Sequence, residues 1–152
     1  MSLDTGAILN VVTSHASAAG LFERVNQHES KNAPGNGLTF AAWLDQIGPA
    51  RGSSGLAQTS ALVVLNARIY TSMLSEPQDA IDPAMAGAVD VLMSAYSGDF
   101  ALGGTARCVD LLGMAGISLS ARAGYLIQDG KPYRVFTITL PIIVDNVWGQ
   151  VA

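Results

Sequence analysis

Near the start of the chain, Ile8, Val11, Val12, Ala18 and Ala19 recur at helical spacing, with His15 on the same stripe. The pattern predicts a helix over about residues 4–19, with Ser2 or Asp4 as N-cap and Gly20 as its stop. The period then changes. LFERVNQHE alternates Phe22 and Val25 with polar residues and predicts a short strand, followed by a loop in ESKNAPGNG. LTFAAWLDQI is the next strand, stopped by Gly48-Pro49, and ALVVLNARIYTSM is a long one rich in β-branched and aromatic residues. Between them, ARGSSGLAQTS reads as a hairpin connection.

Helical spacing returns in SEPQDAIDPAMAGAVDVLMSAYSGDF. Met85, Val89, Leu92 and Tyr96 lie on one stripe, with Asp82 as N-cap, Pro83 in the first turn and Gly98 at the end. Ser75 with Gln78 resembles a capping box one turn earlier. The last third is β. ARCVDLLGMAGI forms one run, bent at Gly113 and Gly116, and AGYLIQ joins KPYRVFTITLPIIVDNVW through Asp129-Gly130, a strong hairpin signal. In that last run both alternating faces carry large apolar groups, so one packs on helices and the other needs a different cover. Pro141 cannot donate to a ladder, which predicts that the strand leaves the sheet or reaches an edge there. The expected fold is α+β, a single domain over residues 1–152, with a mostly antiparallel β-sheet and two helices packed on one side.

Composition changes the picture in one respect. Hydrophobic residues make up 49% of the chain and charged ones 13%, about half the usual charged share. So little charge leaves much weakly polar surface, whose simplest use is burial against other chains. No apolar run is long enough to span a bilayer, and MSLDTG lacks the basic start and apolar core of a signal peptide. A net charge of -4 with eight scattered basic residues argues against nucleic-acid binding as the main task. The single Cys108 sits in an apolar run and reads as a buried structural thiol.

Candidate chemistry is sparse. The stretch from Arg51 through Gly52, Ser53, Ser54, Gly55 and Leu56 has the composition of a phosphate-cradling loop, but it has no lysine and is followed by a strand. It also lacks the spacing of a nucleophile elbow. His15 and His28 belong to no metal-ligand spacing, and Asp79 with Asp82 are placed where helix N-termini favour carboxylates. These readings predict no catalytic residue, no cofactor and no metal.

Taken as segments in order, the chain resembles the tail terminators of long-tailed bacteriophages of actinobacteria. The resemblance lies in SHASAAGLFERVNQHESKNAPGNGLT, GPARGSSGLAQTSA with ALVVLNARIYTSM, EPQDAIDP with AYSGDFALGG, and GYLIQDGKPYRVFTITLPIIVDNVW. These cover nearly the full length but contain no catalytic motif. The resemblance implies a structural virion protein in the tail neck, assembled in the host cytoplasm. It would form a homo-hexameric ring on the last ring of the major tail-tube protein, stop tube polymerisation, and meet the head-side connector or stopper. DNA would pass through the ring without specific binding, and no membrane is involved. Other neck or tail components, such as a stopper, adaptor or tail-tube protein, remain open, as does a small enzyme. In the terminator setting residues 51–56 become a protein-contact tip, with Arg51 supplying charge and Leu56 an apolar anchor.

Overall fold

The computed structural model describes residues 3–29, 37–51, 54–55, 57–74 and 78–150. The elements run α1 (Thr5–Ala19), β1 (Arg24–Asn26), β2 (Thr39–Pro49), β3 (Gln58–Ser72), α2 (Ile81–Gly98), β4 (Cys108–Val109), β5 (Ser120–Gln128) and β6 (Lys131–Gly149). One six-stranded sheet has the order β1-β2-β3-β6-β4, with β5 also paired to β6. Every pairing is antiparallel except β1 with β2. The chain is therefore α+β, in the predicted element order.

Alternation along the strands decides what the sheet covers. Val63, Leu65, Ala67 and Ile69 of β3 and Ile138, Leu140 and Ile142 of β6 point to one face. There they share a core with Ile8, Val12 and Ala16 of α1 and Met85, Ala88, Leu92 and Tyr96 of α2. Both helices thus lie on the same side, as their single apolar stripes require. The Tyr96 hydroxyl, buried between them, donates to the Val12 carbonyl (3.2 Å). The opposite face holds two smaller clusters. Ala41, Tyr70, Tyr133 and Val135 form one, and Ala50, Leu62, Val64 and Ile143 form the other. Among the described residues, Cys108 of β4 and Ala115 and Ile117 of the loop after it pack on that second cluster, rather than a helix.

Several boundaries differ from the sequence reading, each for a local reason. Asp4 is the N-cap of α1, its carboxylate accepting from the Ala7 N–H (3.0 Å), and Gly20 closes the helix in the left-handed region. Asp82, by contrast, is not the cap of α2. That place belongs to Ala80, which has no side-chain cap bond, because a 3-10 turn at Gln78–Ala80 already feeds the helix. Asp82 instead takes Arg134 Nε (2.9 Å). Ser75 of the expected capping box lies outside the described residues. LFERVNQHE yields only three strand residues, and β2 and β3 extend past their expected ends, through Gly48-Pro49 and back to Gln58.

ARCVDLLGMAGI is not one strand. Only Cys108–Val109 pair, because Gly113 and Gly116 take φ of 76° and 109° and turn the chain. Pro141 neither ends β6 nor lies on an outer strand. Its carbonyl accepts from the Asp110 N–H (2.9 Å), so the side lacking an N–H faces the break where β5 has ended at Ser120↔Thr139 and β4 begins at Val109↔Ile142. The Asp129-Gly130 turn is as expected, both residues having positive φ (53° and 72°) between Gln128 and Lys131.

Candidate functional site

The β2–β3 connection is built to hold its own base. The Ala50 N–H donates to the Ser60 carbonyl (2.8 Å), closing the ladder below the tip. Ser54 turns inward: its hydroxyl donates to the Ala50 carbonyl (2.7 Å) and accepts from the Ser60 N–H (3.2 Å). From the far end of β6, the Gln150 side-chain amide donates to the Gly55 carbonyl (3.0 Å) and to Thr59 Oγ1 (2.7 Å). Arg51 is exposed. Gly52, Ser53 and Leu56 lie outside the described residues. The Ser54 hydroxyl is thus held within the base of the loop, and Gln150, which no motif flags, is its counterpart.

A polar knot lies beside this tip. Between Thr59↔Trp148 and Ala61↔Val144 the register of β3 and β6 shifts, and Asn146 takes φ 53° there. The Asp145 carboxylate accepts from the Ser60 hydroxyl (3.2 Å) and from Arg107 Nη1 (3.1 Å), while the Asn146 N–H donates to Ser60 Oγ (3.2 Å). Trp148 is left 39% exposed.

The loop after β4 completes this end of the molecule. Asp110 is buried, and its two carboxylate oxygens accept from the backbone N–H groups of Met114 (2.9 Å) and Ala115 (2.8 Å). That pin lets Ile117 and Ala115 pack inward while Leu112 and Met114 each stand 90% exposed. Beneath them lies a mostly apolar cleft of about 390 Å³, lined by Phe100, Cys108, Leu112, Met114 and Ile143 among others. Cys108 is half-buried on the cleft wall, more open than its apolar run suggested. Burial pushes its thiol up, with Arg107 pulling the other way and Asp110 and Asp145 adding to the rise. A raised thiol is a poor nucleophile.

Several other ionisable groups tie elements together. His15 Nε2 lies 2.8 Å from Asp99 Oδ2, and its ring meets Tyr96 edge-on. No carboxylate stands at helical spacing from His15; this one comes from 84 residues away and joins α1 to the end of α2. Arg68 lies over Trp43 and Tyr70 (5.0 and 5.8 Å) and donates from Nε to Thr137 Oγ1 (2.9 Å), with Glu29 at 3.9 Å. Arg134 stacks on Tyr125 (4.4 Å) while holding Asp82. Among the described residues no group of three His, Cys, Asp or Glu side chains could hold a metal ion, and no helix is long and apolar enough to cross a membrane. No family model matches the chain, and no curated protein matches it.

Proposed function

We propose that the chain is a phage tail terminator, a structural protein that assembles as a homo-hexameric ring at the head-proximal end of the tail tube. There it stops tube polymerisation and joins the tail to the head connector. The family assignment rests on the sequence resemblance. The observation that supports an assembling role is the distribution of exposed apolar side chains on so weakly charged a chain. Leu112 and Met114 project beside Phe100 at the cleft, Trp148 is exposed farther along β6, Tyr125 and Ile127 stand 70% and 76% exposed on β5, and Leu44 and Ile47 are exposed on β2. Grouped apolar exposure of this kind marks surfaces that other chains cover. The projecting end, with Arg51 and the cleft under Leu112, is the side we assign to the tube or connector.

Two measurements test this. Light scattering on the purified protein, alone and with tail-tube protein, is expected to give closed rings and no tubes of the chain itself. Phage in which its gene is interrupted are expected to carry tails that overrun their length and fail to join heads. Normal-length tails already joined to heads would overturn the proposal.

A further inference from the structure

Among the described residues the sheet has two edges without a strand partner, on β5 and on β2, and they match each other. On one side β5 pairs only with β6 among the described residues, so its outer edge from Ser120 to Ile127 has no strand partner there. Natural sheets blunt such edges with charges, prolines or bulges. β5 has none of these except the single charge of Arg122. On the other side β1 covers only Thr39–Ala41 of β2, leaving the outer edge from Ala42 to Pro49 without a strand partner among the described residues.

Strand directions fix what can join them. β2, β3, β6 and β5 follow one another antiparallel, four strands in alternation. With an even number, β5 and β2 run in opposite directions. A second copy placed head-to-tail, in the same orientation, therefore presents its β2 antiparallel to the first copy's β5, the better-bonded ladder type. An odd number would have made the junction parallel.

The side chains agree. Leu44 and Ile47 pair with Leu65 and Val63, whose side chains enter the core under the helices. Tyr125 pairs with Arg134, which reaches Asp82 of α2, and Ile127 follows on the same face. Both exposed apolar pairs thus point to the helix side. In a sheet continued from one copy to the next they form a single apolar strip on one face. The bulge between Leu44 and Gln46 brings Leu44 and Ile47 to the same face although they are three apart.

We infer that the edge of β5 in one copy pairs antiparallel with the Ala42–Pro49 edge of β2 in the next, making a heterologous junction repeated around a closed ring. This rests on the ring reading above and gives it a specific interface. Through the pairings with β6 and β3, β5 lies level with the β2 residues around Thr39–Trp43, partly behind β1. Each copy is consequently displaced along the strands by roughly six residues, about 20 Å. A stagger of this kind is what closing a sheet on itself requires.

The test uses two double variants of the full chain. Ala123→Lys with Ile127→Lys blocks the β5 edge, and Leu44→Lys with Ile47→Lys blocks the β2 edge. All four positions carry exposed or partly exposed side chains, and circular dichroism checks that each variant is folded. Each variant alone is expected to be monomeric under conditions where the wild type assembles, needing about tenfold more protein or more to associate. Mixed in equal amounts they keep one intact junction and are expected to form dimers that grow no further. Backbone hydrogen exchange on the wild type gives a second readout, with amides of both edges more protected in the assembled form than in dilute monomer. Variants that still build the wild-type assembly, or unprotected edges within it, would overturn the junction and leave the ring reading standing. A wild type that stays monomeric with and without tube protein would overturn both.

Discussion

Asp99 accepts a hydrogen bond from the Gly103 N–H (2.9 Å) and faces the His15 ring, so its carboxyl is held below the usual carboxylate range, by the backbone bond first and His15 second. A carboxyl lowered on folding adds stability that is complete above its unfolded pKa and fades as pH falls through the lowered folded value. The expected outcome is an acid-side loss of unfolding free energy that shrinks in Asp99→Asn, read from urea titrations across the acidic range. An unchanged acid slope would contradict it. Asp110 illustrates a different residue-scale effect. Removing its buried carboxylate leaves two backbone N–H groups without their acceptor, so Asp110→Ala is expected to destabilise by about 1–3 kcal/mol. Hydrogen exchange at Met114 and Ala115 should rise with it, which separates loss of this pin from a general loosening.

At the scale of elements, α2 shows how tertiary contact replaces a local signal. The Asp-Pro pair looks like a cap in the sequence, yet the carboxylate serves Arg134 of β6, whose guanidinium lies over Tyr125. Asp82→Ala is therefore expected to cost about 0.5 kcal/mol as a partly exposed ion pair, and to cost almost nothing once Arg134 is already alanine. A capping role would leave the penalty intact in both backgrounds, so a double-mutant cycle by thermal denaturation decides between them. The β5–β6 hairpin behaves oppositely. Asp129-Gly130 is legible because the turn needs two positive φ values and these residues supply them locally. Likewise α1 is legible from end to end, since its cap, its stripe and its terminal glycine are all neighbours in sequence.

For the whole molecule, the proposed ring junction would join apolar side chains and backbone groups, with little charge on either strand. Its assembly is expected to change little between low and physiological salt, measured by light scattering, because screening acts on exposed charges and not on buried ladders. A steep loss with salt would point to contacts through Arg51, Arg107 or Arg122 instead.

The sequence by itself determined the element order, the α+β class and the two helix stripes. Those depend on periodicity and on residues a few positions apart. It also indicated a weakly charged surface. It misread the run from Ala106 to Ile117, where buried Asp110 organises a loop that hydrophobicity alone makes look like a strand. It could not place His15 beside Asp99, Ser54 against Ser60, or Gln150 at the hairpin, because each pairing depends on how the sheet brings distant segments together. Only the tertiary structure decided which strands are left at the edges. Strand order is set by pairing across the whole chain, whereas alternation along one strand reports only its two faces.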